Sequence, residues 1–144
     1  MKIFTIGFTK RSAEEFFGAL KLAGAKRLID VRLNNSSQLA GFSKRDDLRY
    51  FLNAICGMEY LHLPELAPTQ EMLHAYKGKA ISWDEYEKQF VALMAERLVE
   101  QSVAREVVEG SVLLCSEPKP EKCHRRLVAE YFQQKWGDVE IVHL

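Results

Sequence analysis

The stretch "LLCSEPKPEKCHRR", Leu113 to Arg126, decides how the rest of the chain is read. An apolar run leads into it from Ser111, and behind it Leu127 and Tyr131 recur at helical spacing. This pattern predicts a buried strand ending near Cys115, a polar turn, and a helix starting near Pro120 and running to Trp136. Proline suits the first turn of a helix, where its missing N–H costs nothing. The turn also gathers two of the three cysteines, a histidine and paired arginines. It therefore poses a choice between a site that carries chemistry and a plain connection.

The same alternation extends in both directions. "IFTIG" (Ile3–Gly7) reads as a strand. Ser12 and Glu15 have capping-box spacing, Phe16, Leu20 and Ala23 follow at helical intervals, and Gly24 stops the helix. "RLIDVR" (Arg27–Arg32) is a second strand, followed by the polar loop Leu33–Ser43. Ser43 is placed to cap a helix that buries Leu48, Phe51 and Ile55 and ends at Gly57. "MEYLHL" (Met58–Leu63) is the third strand, ended by Pro64, and a short helix follows from Thr69 to Tyr76. Ser82 and Glu85 begin a long helix with an apolar stripe of Tyr86, Phe90, Leu93, Met94 and Leu98, predicted to reach Val108. Ser111–Cys115 is the fourth strand and Val139–Leu144 the fifth. Apolar strands separated by helices predict one α/β domain over residues 1–144: a three-layer α/β/α sandwich around a mostly parallel five-stranded sheet.

Ligands of such sheets bind beyond the carboxyl ends of the strands. The candidate residues are those that follow each strand. Gly7, Thr9 and Arg11 form a phosphate-friendly turn, although no G-x-G-x-x-G or Walker lysine motif is present. Asp30 and Arg32 share a face by period-two geometry, suited either to holding a ligand or to locking the loop. His62 and Glu65 bracket Pro64, and His62 is suited to capping the strand end. Cys115 ends the fourth strand and Glu117 sits just outside it. Cys123, His124 and Arg125 fall early in the last helix, where free N–H groups and the dipole favour anions and thiolates. Asp30, Glu117, Cys123 and His124 are the candidates for acid–base or thiol chemistry. Gly7, Thr9, Arg11, Arg32, His62, Glu65, Cys115 and Arg125 are the candidates for binding. Against these stand plainer roles: Cys115 and Cys123 as core residues, and Glu117 and His124 as solvated polar groups. Arg125 is expected to face the ligand, held by Asp30 or Glu117, while Arg126 pairs with Glu130 one turn on.

Twenty basic residues balance twenty acidic ones in a chain of 144 residues, which argues against broad binding to nucleic acid or anionic membrane. No run approaches a membrane span, and the N-terminal segment lacks the pattern of a signal peptide, so a cytoplasmic protein with three reduced thiols is expected. Cys115, Cys123 and His124, with Glu117, are residue types that could converge on zinc, but their spacing matches no standard zinc pattern, so no metal is expected, and no cofactor is expected either. The oligomeric state is open.

"TIGFTKRSAEEF", "LIDVRLN", "GFSKRDDL", "YLHLPEL" and "LLCSEPKPEKCHRR" together resemble, in this order, the motifs of the domain of unknown function 488 family. The resemblance covers nearly the whole chain. Its most specific part is the Cys-x-Glu at a strand end followed by Cys-His-Arg. It implies a cytoplasmic α/β domain with a site at these positions and implies no particular activity. Ala67 and Pro68 stand where many members have Gly-Gly, and Asn34 to Gln38 occupy a loop that often carries arginines, which marks a subgroup.

Two function classes follow. The first binds or acts on a small anionic ligand of nucleotide or phosphate type, with a thiol-based sulfurtransferase or phosphatase as a variant. Neither cysteine has an arginine six residues on, as a phosphate-cradling loop of that kind requires. The second is a non-catalytic interaction module with a place in nucleic-acid maintenance, which a continuous basic stripe would favour and the balanced composition argues mildly against.

Overall fold

The computed structural model describes residues 1–35, 41–117 and 120–144. Loop residues Ser36, Ser37 and Gln38 lie outside that range. Five strands form one all-parallel sheet: β1 (Lys2–Gly7), β2 (Arg27–Asp30), β3 (Glu59–His62), β4 (Ser111–Cys115) and β5 (Glu140–His143), in the order β3-β2-β4-β1-β5. Helices cover both faces, as the continuous apolar strands predict. On one face Phe4, Ile6, Leu28, Val112 and Leu114 pack with Phe16, Phe17 and Leu20 of α1 (Ala13–Ala23) and Leu48 of α2 (Arg45–Phe51). On the other, Ile3, Ile29, Leu113 and Cys115 pack with Phe90 and Met94 of α4 (Trp83–Arg97) and with Leu127, Val128 and Phe132 of α7 (His124–Trp136). Alternate residues of each strand thus serve opposite layers.

The α1 boundaries follow from local chemistry. Ser12 accepts from the Glu15 N–H while Glu15 reaches back to the Ser12 N–H, and Gly24 closes the helix at φ 66°. Other expectations need correction. The second strand stops at Asp30, because Asp30 and Arg32 turn toward each other. Ser43 is not the cap of α2: it lies in a 3-10 turn (Gly41–Ser43), and Lys44 occupies the cap position without a side-chain bond. A π-helical turn over Leu52–Cys56 buries Leu52 and leaves Ile55 42% exposed, which breaks the expected Leu48–Phe51–Ile55 face. The long helix stops at Arg97, where Leu98 adopts a left-handed φ of 51°. The chain bends there and continues as α5 (Val99–Ser102) and α6 (Arg105–Val108), which buries Val99, Val103 and Val108. The last helix begins at His124, not Pro120, with Cys123 in the cap position.

The strand order is neither of the usual dinucleotide- and flavin-binding orders, in keeping with the missing glycine fingerprint. It still creates a crevice. β4 lies between β1 and β2. The chain leaves β1 and β2 toward the α1/α2 layer, and it leaves β4 toward the α7 layer. The edge beyond β4 is therefore flanked on both sides by connections that run the other way, the arrangement that opens a ligand crevice in a parallel sheet.

Gly7 governs how the β4–α7 loop closes onto this edge. A Cβ at Gly7 would fall 1.6 Å from the Glu117 carbonyl oxygen and 2.4 Å from Nη1 of Arg125. Backbone cannot yield to that overlap, so Gly7→Ala is expected to destabilise the fold by about 3 kcal/mol or more, the upper end of overpacking effects, read as a fall in the denaturation midpoint. Gly18→Ala, where a Cβ meets nothing, serves as the control and leaves the midpoint unchanged or raised.

Candidate functional site

Beyond β4 lies a cleft of about 390 Å³. Its floor comes from the strand exits: Phe8 and Thr9 after β1, Arg32 to Asn34 after β2, and Cys115 to Glu117 after β4. Lys122, Cys123 and His124 close one side. The opposite wall comes from α3 (Gln70–Lys77) and the start of α4, through Tyr76, Lys77, Trp83 and Tyr86. Trp83 stacks on Tyr86 at 5.0 Å and meets Tyr76 at 5.4 Å, so the wall is a continuous aromatic surface.

Of the residues expected at the site, Thr9, Arg32, Cys115, Glu117, Cys123 and His124 line this cleft. Gly7, Arg11, Asp30, His62, Glu65 and Arg125 are not in its lining. Asp30 is fully buried and its oxygens are occupied. It accepts from the Arg32 backbone N–H at 3.1 Å, from Arg32 Nε at 2.9 Å and Nη2 at 2.8 Å, and from the Tyr60 hydroxyl at 2.6 Å. Burial, and then the Asp30 carboxylate, push the Tyr60 phenol up, so it stays a donor. Arg32 Nη2 also donates to the Ser43 carbonyl at 2.8 Å, and the guanidinium lies over the Phe8 ring at 5.3 Å. Of the two roles open to the pair, these contacts describe the one that locks the loop.

His62 Nε2 lies 2.9 Å from the Arg32 carbonyl, to which it donates, so it ties β3 to the β2 exit. Glu65 offers its backbone: Arg97 donates to the carbonyls of Glu65 at 2.8 Å and Ala67 at 2.7 Å. Arg11 donates to the Leu144 carbonyl.

Arg125 departs most from expectation. It is fully buried beside β1, where its Nε donates to the Thr5 hydroxyl at 3.3 Å and its Nη1 to the Glu117 backbone carbonyl. It pairs with neither Asp30 nor the Glu117 carboxylate among the described bonds, because the bare backbone of Gly7 lets it fold over the end of β1. Burial, then the nearby Arg11, lower its pKa to about 10. Arg126 pairs with Glu130 at 3.0 Å, as its spacing predicts, and also with Glu87 at 3.1 Å.

The cysteine expectations also change. The structure joins Cys115 and Cys123 as a disulfide, because the end of β4 and the cap of α7 meet across the turn. Both residues are 2% exposed and belong to the core. Cys56 is free, half-buried, and packed on the opposite layer. His124 is not a solvated group. Its Nε2 lies 2.6 Å from the Val31 carbonyl, and a carbonyl can only accept, so that nitrogen carries the proton. Burial pushes the imidazole down from 6.5 to about 4, against the raising effect of the Val31 bond.

The aromatic wall and Lys77 are the functional candidates that sequence reading missed. Tyr86 reads as core, and the structure does bury it, at 2% exposed, behind the wall; Tyr76 marks only a helix end. The available signal was three aromatics and two lysines crowded around one helix–helix turn, between Tyr76 and Tyr86.

Residues 12–132 match the family described as "Domain of unknown function DUF488". The chain belongs to this family. No curated protein and no solved structure matches it. The DUF488 match spans the strand exits after β2, β3 and β4, including the Cys-His-Arg run. It leaves β1 and β5 outside. Among the described residues no helix is long and apolar enough to cross a membrane.

Two outcomes are expected from this geometry. Arg32→Ala leaves Asp30 buried without its counter-charge and costs ~3–5 kcal/mol in chemical denaturation, while Arg126→Ala, at a partly solvated pair, costs about 1 kcal/mol or less. Between pH 6.5 and about 4, the unfolded chain takes up a proton at His124 that the folded chain refuses. Stability therefore falls as pH drops through that window, and His124→Gln flattens that part of the thermal-midpoint profile.

Proposed function

We propose that this DUF488 protein binds, and acts on, a small anionic ligand that carries a planar ring, of nucleotide type, in the cleft beyond β4. The observation that carries this reading is the opposition of two surfaces. Tyr76 and Trp83, half-buried and backed by the core residue Tyr86, offer aromatic area for a ring to stack on. Lys77 and Lys122 supply positive charge around the same space, and Thr9 and Ser116 add hydroxyl donors. A cleft of about 390 Å³ suits a ligand of this size. Glu117, exposed at the rim, is the carboxylate free to move a proton, because Asp30 is held by Arg32 and Tyr60.

Calorimetric titration with nucleoside monophosphates, ribose 5-phosphate and inorganic phosphate tests the reading. The nucleotide is expected to bind more tightly than either ring-free anion. Trp83→Ala and Lys122→Glu should each weaken it by about tenfold, equivalent to ~1.4 kcal/mol. Lys26→Glu, beyond the opposite end of β4 where Lys26 holds the Glu106 carbonyl, should leave affinity unchanged. Absence of binding by every nucleotide at millimolar concentration, or equal losses from Lys26→Glu and Lys122→Glu, overturns it.

A further inference from the structure

Two buried sulfurs and an imidazole meet in the cleft, and the anion reading uses none of them. Ligand atoms of Cys115, Cys123 and His124 all lie within 4.8 Å of one another. All three residues line the cleft. We infer that, with the disulfide reduced, Cys115, Cys123 and His124 form a three-ligand site for a soft divalent metal ion, zinc above all, whose fourth position opens on the cleft.

Four observations carry this assignment. The first is the donor set: two sulfurs and one imidazole nitrogen suit zinc, and three protein ligands with one open position are the pattern of catalytic zinc sites. The second is the orientation of His124. Its Nε2–H donates to the Val31 carbonyl at 2.6 Å, and metal-ligating histidines almost always give their second ring N–H to such a partner. That bond leaves the Nδ1 lone pair as the free donor. The ring is held from one side by Phe90, 5.5 Å away.

The third observation is the spacing of the two cysteines. Their Cα atoms are 7.2 Å apart, beyond the ~4.4–6.8 Å usual for a disulfide. A zinc ion holding two thiolates at about 2.3 Å keeps the sulfurs about 3.8 Å apart, against about 2.0 Å in a disulfide, and so suits a wider pair. The fourth is the position of Cys123. It occupies the cap of α7 but makes no capping bond, so once the disulfide is reduced its sulfur is available where the helix dipole favours a thiolate.

Loading is a balanced exchange. A thiol or phosphine reductant gives two electrons to the disulfide and is itself oxidised. The two resulting thiols release their protons to water as two metal–sulfur bonds form. The eight-residue separation of the cysteines conceals this site from spacing rules, because the β4 exit and the α7 cap bring together what the sequence keeps apart.

Cobalt titration of the full chain tests the assignment. The protein is reduced with a phosphine, freed of metal and kept under argon, with no anion ligand present. One Co2+ per chain is expected, with a near-ultraviolet thiolate-to-cobalt charge-transfer band and the strong visible absorption of tetrahedral cobalt. Zinc should displace it. Cys115→Ser and Cys123→Ser should each abolish the charge-transfer band. His124→Gln should lower affinity by tenfold or more and shift the visible bands. Cys56→Ser should change nothing. In parallel, zinc should raise the thermal midpoint of the reduced wild-type protein. That result needs no variant to fold.

No thiolate–cobalt band in the reduced wild type overturns the site. So does a band that is unaltered in His124→Gln or lost in Cys56→Ser. The cobalt spectrum and the nucleotide titration are read separately, so either reading can fail without the other.

Discussion

The buried pair of Asp30 and Arg32 sets the geometry of the carboxyl edge. A carboxylate and a guanidinium removed from water are costly unless each finds its partner in good geometry. Here both do so through two parallel hydrogen bonds two residues apart in sequence. The pair then recruits its surroundings. Tyr60 of β3 donates to the acid, the Ser43 carbonyl accepts from the base, and the Phe8 ring after β1 lies beneath the guanidinium. Strand exits on both sides of β2 and the 3-10 turn are thereby referred to one charge pair. The floor of the cleft inherits its shape from that arrangement.

Around this pair, the edge is closed mainly by backbone carbonyls accepting from long cationic or imidazole side chains. His124 holds Val31, His62 holds Arg32, Arg125 holds Glu117, and Arg97 holds Glu65 and Ala67. Each bond satisfies a carbonyl left open where a strand or turn ends, the problem any irregular buried backbone must solve. This explains why a chain of balanced charge concentrates basic residues behind its strands. Several of them serve the backbone, which among the described residues leaves Lys77 and Lys122 as exposed cations on the cleft.

Much of the fold was legible in the sequence because its elements are locally determined. The Ser12–Glu15 box, Gly24 and Gly57 stops, the Thr69 cap and the apolar run Ser111–Cys115 all state their own conformation. Failures came where tertiary packing overrode local preference. Leu98 is a good helix former held left-handed so that the following valines reach the core. Pro120 does not start α7, which begins four residues later at His124, where its first turn meets the strand ends. At the site, six of the twelve expected residues line the cleft. Thr9, Arg32, Cys115 and Glu117 sit at or just past the ends of β1, β2 and β4, and Cys123 and His124 open α7. Strand-end position alone does not separate a residue that reaches the cleft from one that props up the edge, since Asp30 and Arg32, or Cys123 and Arg125, lie two residues apart and only one of each pair lines the cleft.

The two sides of the cleft have different origins in the architecture. The floor is strand exit, fastened by buried ion pairing and hydrogen bonds to the sheet. The wall comes from the end of α3 and the start of α4, which border the sheet without belonging to it; Tyr76 and Trp83 lean on Tyr86, and Tyr86 is itself seated in the core against Phe90. Exchanging Tyr76, Lys77 or Trp83 would therefore reshape the mouth of the cleft and leave the fastened strand ends in place.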